Sequence, residues 1–137
     1  MTPGQAESAR AELKRAGRAH EEARLLHDAD SLEGAVSRLY YAVFHAARAA
    51  LLVRGRSSRT HSGQITLFTE TYGAAPILGR LRDLRARADY ELGELVVSGG
   101  MVGDLLGEAR AFIDRCGRIV AEATERGADD PDPPPDR

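Results

Sequence analysis

The sequence predicts an all-α fold, a five-helix antiparallel bundle, and three observations carry that expectation. The stretch from Ser31 to Gly55, SLEGAVSRLYYAVFHAARAALLVRG, is apolar around most of a helical circumference. Other segments repeat apolar residues at three- and four-residue spacing between recognisable start and stop residues. No segment alternates strongly enough to build a sheet. A helix apolar on most sides needs neighbours on most sides, so the Ser31 to Gly55 segment is the expected centre of the bundle. Short connections make its neighbours largely antiparallel.

The first helix begins at Thr2, with Pro3 at its first position and Gln5 placed for a capping box. Its face is built of small residues, Ala6, Ala9, Leu13, Ala16, Ala23 and Leu26, with charges over the rest, and it runs to about His27. His20 and His27 fall two turns apart on one side; two such residues are too few to hold zinc, and they read as solvated surface histidines. Asp30 or Ser31 caps the central helix, with Glu33 at the box position, and Gly55 ends it. There Leu32, Val36, Leu39, Val43, Ala46, Ala47 and Ala50 share one broad side that Tyr40, Phe44 and Leu51 widen. A narrow polar line, Ser37, Arg38, Tyr41, His45 and Arg48, runs opposite.

Thr60 is the expected cap of a third, shorter helix carrying His61, Ile65, Leu67 and Phe68 and stopping at Gly73. A fourth starts near Pro76, buries Ile77, Leu81, Leu84 and Ala88, and fades near Gly93. Arg82, Arg85 and Asp89 share one of its flanks; Arg80, Arg87 and Glu91 share the other. After an LVVSGG linker, Ser98 caps a long final helix with Met101, Leu105, Ala109, Phe112, Cys116, Ile119 and Ala123 inward, terminated by Gly127. One domain therefore spans residues 1–127. The segment 128–137, ADDPDPPPDR, is an acidic, Pro-rich tail with nothing to bury and is expected to be disordered.

Formal net charge is −2, but without the tail 18 basic residues face 17 acidic ones, so the body carries about +1. That excludes a nucleic-acid binder working by bulk charge, though not one with a local patch. The single cysteine, Cys116, lies on an apolar helix face, which rules out an internal disulfide and a thiolate metal cluster and suits a reducing cytoplasm. No metal or other cofactor is expected. The longest apolar run, Ala42 to Val53, is broken by His45 and Arg48 and is too short to span a bilayer, and the N-terminus has no apolar signal core.

Three polar groups are candidates for chemistry. Arg38, Tyr41, His45 and Arg48 form either a solvated stripe or a cleft wall holding a titratable imidazole between guanidiniums. Arg59, Thr60, His61 and Ser62 stand at a helix start, where free N–H groups and the dipole favour phosphate; the plainer alternative is that Thr60 only caps and His61 packs locally. Arg82, Arg85, Arg87, Asp89 and Tyr90 are either surface ion pairs, such as Arg85 with Asp89 and Arg87 with Glu91, or an Arg cluster for phosphates.

In order along the chain, AVSRLYYAVFHAARAALL at 35–52, RTHSG at 59–63, LRDLRARADY at 81–90 and EARAFIDRC at 108–116 together resemble the HEPN superfamily, specifically its small stand-alone bacterial and archaeal members. The resemblance covers about residues 10–120. It implies a homodimeric helical bundle that is often paired with a minimal nucleotidyltransferase, the two behaving as toxin and antitoxin. It further implies a metal-independent RNase whose Arg and His, four to six residues apart, meet their partner-protomer counterparts in a cleft. There the His would serve as acid or base and the Arg would stabilise the phosphorane.

The matching position here is Arg85, and the sequence departs from the pattern after it: Asp89 and Tyr90 stand where a His is expected. The spacing recurs from Arg15 to His20, from Arg38 to His45 and from Arg56 to His61, in other parts of the fold. The resemblance therefore points to Arg85 with His45 or His61 as the catalytic group. Arg38, Tyr41, Arg59, Arg82 and Asp89 would contact nucleotide or RNA, and Tyr90 would be the candidate for nucleotidylation by the partner. The alternatives are a non-catalytic module that holds a nucleotide or docks the nucleotidyltransferase, and a purely structural dimerisation domain.

Overall fold

The computed structural model describes residues 1–90 and 97–129, with side chains described for 1–88 and 97–126. It is all-α: α1 (Pro3–Asp28), α2 (Leu32–Leu52), α3 (His61–Tyr72), α4 (Pro76–Tyr90) and α5 (Gly99–Asp129). Among the described residues no helix is long and apolar enough to cross a membrane. The side chains of Asp89 and Tyr90, the Arg87–Glu91 pair, the end of α4 near Gly93, the first part of the LVVSGG linker and residues 130–137 lie outside the described residues. Helix α5 continues past the expected stop at Gly127 to Asp129.

Capping follows the sequence closely at α1 and α3. Thr2 and Gln5 exchange the two bonds of a capping box, and the Thr60 hydroxyl accepts from Gly63 N–H. Ser98 accepts from Met101 N–H at the start of α5. The α1–α2 junction differs from expectation. Asp30 adopts φ +59° and closes α1: its N–H donates to His27 O, and Ser31 N–H donates to Leu26 O. That is a Schellman ending with Asp at the left-handed position, which its short polar side chain tolerates. Ser31 is the N-cap of α2 by position, but its side chain makes no capping bond, and the proposed box with Glu33 does not form. Gly55, at φ +66°, closes α2 by the same motif, with Arg56 N–H donating to Leu51 O.

Helix α2 is the centre of the bundle, with eleven buried residues including Leu39, Tyr40, Val43 and Leu51. Helices α1 and α2 are antiparallel: Ala9 packs near Ala49, Glu12 meets His45, and Glu22 meets Arg38. Their seam is alanine-rich, with Ala9, Ala16 and Ala23 facing α2 with no exposure, which lets the backbones approach closely. Helix α5 is antiparallel to α1, as the His20–Leu106 and His27–Gly99 contacts show, and it meets α4 through Arg80 and Glu108. Helix α3 instead runs alongside α2 in the same sense, since His61, Gln64 and Tyr72 meet Tyr40, Phe44 and Ala50 in order. The loop between α2 and α3 is long enough to carry the chain back along α2, and so returns His61 to the Tyr40 level.

His20 and His27 are not the solvated residues expected. Each is half-buried and donates from Nε2 to a carbonyl of α5, Leu106 O and Gly99 O, at 2.8 Å. On α5 the buried ridge is Val102, Leu105, Ala109, Phe112, Ile113, Cys116 and Val120, while Met101 and Ile119 sit at its margin. Leu39, Phe68 and Leu81 are fully enclosed, and each such side chain contributes about 1.5–3 kcal/mol by leaving water.

Candidate functional site

The polar line of α2 is a wall rather than a free stripe, because α4 lies against one side of it and α1 against the other. Tyr41 is its midpoint. Its ring lies between two guanidiniums, Arg38 Cζ and Arg85 Cζ, each 4.7 Å from the centroid. Arg85 also donates from Nη2 to the Tyr41 hydroxyl at 3.0 Å and lies 5.0 Å from the Tyr40 centroid. Two aromatic faces and a hydroxyl thus fix one arginine, an arrangement worth more than an exposed cation–π contact.

Tyr40 is buried, yet its hydroxyl reaches Nδ1 of His61 at the start of α3. The His61 ring packs on Phe44 with centroids 4.4 Å apart. Burial against these rings, then the nearby charges of Arg85 and Arg82, hold His61 below the ordinary imidazole range. Burial raises the Tyr40 phenol, with Arg85 and Arg82 opposing it. The Tyr40 hydroxyl can donate to or accept from His61 Nδ1, so this contact joins the two groups under either tautomer of the ring.

Beyond Tyr41, toward α1, lies a groove of about 270 Å³ lined by Arg15, Arg18, Glu22, Arg38, Tyr41 and His45. His45 stacks toward Tyr41 with ring centroids 6.4 Å apart. Its closest polar partner is not a guanidinium, as its neighbours in sequence suggest, but the buried carboxylate of Glu12, 2.5 Å from Nδ1. That corrects the picture of an imidazole held between two arginines.

Of the residues singled out in the sequence, Arg85, Tyr41, Arg38, His45 and His61 therefore belong to one connected network of ring and hydrogen-bond contacts. Arg82 is exposed, and its charge acts on Tyr40 and His61. Arg59 is exposed in the loop before α3 and makes no hydrogen bond or ion pair with the network among the described residues. At that helix start Thr60 caps and His61 packs against aromatic rings. The side chains of Asp89 and Tyr90 are outside the described residues. Among the described residues no group of three or more His, Cys, Asp or Glu is placed to hold a metal ion.

Two members of the network were not legible as such. Tyr40 reads as core, and it is core; only its hydroxyl belongs to the site. Glu12 reads as surface charge, although the register of Ala9, Ala16, Ala19 and Ala23 passes through position 12, and that spacing was the available signal.

Comparison with known proteins agrees with this architecture. A family model described as the HEPN domain matches residues 9–120. A UPF0332 protein of Gloeobacter violaceus is 43% identical over 81 residues, a match spanning 59% of each chain. A UPF0332 protein of Thermotoga maritima is 30% identical over 118 residues, covering 80% of this chain and 88% of the relative. A Methanocaldococcus jannaschii protein, named as a candidate toxin, is 30% identical over 110 residues, covering 73% of this chain and 79% of the relative.

Proposed function

This chain belongs to the HEPN domain family, and from that premise we propose that it is the toxin-like component of a toxin–antitoxin pair, acting on RNA in the cytoplasm. The observation that supports this most is Arg85, held over Tyr40 and Tyr41 and bonded to the Tyr41 hydroxyl beside a neutral His61. A guanidinium is suited to two oxygens of a phosphodiester, and tyrosine faces are suited to stacked bases of a single strand. An imidazole of His45 or His61 within the same network supplies proton transfer for attack of a 2′-hydroxyl, and Arg85 stabilises the charge that gathers on the phosphorane.

In this reading the protein works as a homodimer, with the two Arg85 regions bordering one cleft, and needs no cofactor. A minimal nucleotidyltransferase silences it, with Tyr90 the candidate acceptor. Arg59, Arg82 and Asp89 extend the RNA contacts from the margins. The resemblance to a protein named as a candidate toxin supports the biological side of this reading.

The test is induced expression of the wild type and Arg85→Ala. The wild type is expected to arrest growth and fragment cellular RNA, and the variant to do neither. Equal growth with intact RNA in both would contradict the reading. The absence of a His after Arg85 favours a second reading, a non-catalytic module that binds a nucleotide or docks the nucleotidyltransferase. Calorimetric titration with ATP, together with a pull-down of the neighbouring gene product, distinguishes it: binding without RNA cleavage is its mark.

A further inference from the structure

The two imidazoles of the network have different partners at Nδ1, a buried carboxylate at His45 and a phenol at His61. Glu12 is 5% exposed, and its Oε2 lies 2.5 Å from His45 Nδ1. An ionised carboxylate only accepts, so Nδ1 carries the proton and donates it to Glu12. In the neutral ring the lone pair then sits on Nε2, on the far side of the ring from the buried carboxylate. The other Glu12 oxygen accepts from Arg15 Nη1 at 2.7 Å, so the carboxylate is held from two sides. His61 has Nδ1 engaged by the Tyr40 hydroxyl, which can donate or accept, so no carboxylate fixes its tautomer. Phe44 stands between the two, its ring 5.6 Å from His45 and 4.4 Å from His61.

We propose that Glu12 is a positioning residue that fixes His45, rather than His61, as the proton acceptor of the site, and that the α1–α2 groove beside His45 takes the phosphodiester chain of single-stranded RNA. The proposal rests on the RNA reading above and names the base within it. The groups facing His45 are Glu12, Arg15, Arg18 and Glu22 from α1, Arg38 and Tyr41 from its own helix, and Arg85 across Tyr41 from α4. Glu12 pairs with Arg15, and Glu22 lies 3.5 Å from Arg38. Arg18 makes no ion pair among the described residues, so the groove keeps an excess of positive charge for a phosphate.

The step balances without a metal or oxidant. His45 Nε2 takes the 2′-hydroxyl proton, and O2′ forms a bond to phosphorus. The P–O5′ bond breaks, and its electron pair goes to O5′. That oxygen takes up a proton relayed through water from the imidazolium. The products are a 2′,3′-cyclic phosphate and a 5′-hydroxyl. Arg85, across Tyr41 from His45, stabilises the charge that accumulates on the non-bridging oxygens.

The experiment reads the tautomers of the histidine rings by long-range nitrogen–proton NMR correlation in the full chain, for the wild type, Glu12→Gln and Glu12→Ala. The alanine variant matches the flanking Ala9, Ala16 and Ala19 stripe, so it keeps the fold if the glutamine does not. The wild type is expected to show a protonated Nδ1 and a pyridine-like Nε2 at His45, and the alanine variant to lose that single tautomer. An unchanged His45 tautomer in Glu12→Ala overturns the proposal.

The second arm uses 2′-deoxyuridylyl-(3′,5′)-uridine as a non-cleavable probe and a ribo-oligonucleotide as substrate. His45→Gln is expected to lose about 100-fold or more in cleavage rate while probe affinity stays within about threefold. Glu12→Ala cleaving at the wild-type rate, or His61→Gln reproducing the His45→Gln loss, overturns the assignment of the base. A wild type that cleaves no RNA yet shows the predicted His45 tautomer, lost in Glu12→Ala, removes the RNA reading and leaves the Glu12–His45 pairing supported.

Discussion

At the scale of single residues, Tyr41 shows how one side chain serves both fold and site. Its ring sits between Arg38 and Arg85, and its hydroxyl accepts from the latter. Tyr41→Phe keeps the ring and removes only that bond. It should lower stability by about 1 kcal/mol in urea unfolding, and a loss beyond about 3 kcal/mol would mean that the hydroxyl anchors more than Arg85. Cys116 makes the opposite case, a residue with reactive chemistry and no access. Burial pushes its thiol up to about 12, so a disulfide reagent at pH 8 should label it only as fast as the protein unfolds. Rapid labelling of the native protein would contradict that burial.

At the scale of elements, the sequence was most legible where local chemistry decides the outcome. Thr60 caps α3 and Gly73 stops it because both act on backbone groups within a few residues. The same locality explains Gly63: a Cβ there would stand 2.2 Å from Ser58 Oγ and 2.7 Å from Thr60 Oγ1. Gly63→Ala therefore displaces the cap and should cost about 1–2 kcal/mol in thermal or urea unfolding, near the effect of Thr60→Ala; a neutral Gly63→Ala would show that the capping turn is not tight in solution.

Locality also explains the misses. Asp30 looks like an N-cap because its type suits one, but the Schellman closure of α1 takes the residue first. His20 and His27 look like surface residues until α5, remote in sequence, brings carbonyls to them. The buried Glu12 depends on His45 and Arg15 together. No reading of α1 alone supplies the first of those partners.

At the scale of the whole molecule, the same-sense run of α3 along α2 decides where the site lies. It returns His61 to Tyr40, while α4 delivers Arg85 to Tyr41. Pattern along the sequence predicted the helices and placed Arg85, Tyr41 and His45 on plausible faces. Their joining through Tyr40 and Tyr41 needed the packing. The titration of the site should register in global stability. His61 is held below its ordinary value in the folded chain, so the folded state binds that proton more weakly than the unfolded chain. Its contribution is present above about pH 6.5 and is lost as pH falls through the lower folded value. Tyr40 and Tyr72 are raised, so their contribution is whole below about pH 10 and is lost as pH rises through the higher folded values. Unfolding midpoints across pH should show both declines, and His61→Asn should flatten the acid one; an acid limb unchanged in that variant would mean that other groups cause it.

The most direct measurement is the affinity of purified wild type and Arg85→Ala for a fluorescent single-stranded oligoribonucleotide, by anisotropy at fixed salt. Arg85 held between Tyr40 and Tyr41 as the phosphodiester contact predicts a loss of about tenfold or more in the variant, as expected for removing a charge-assisted bidentate partner. Equal affinity in the two proteins, or none in the wild type, would contradict it.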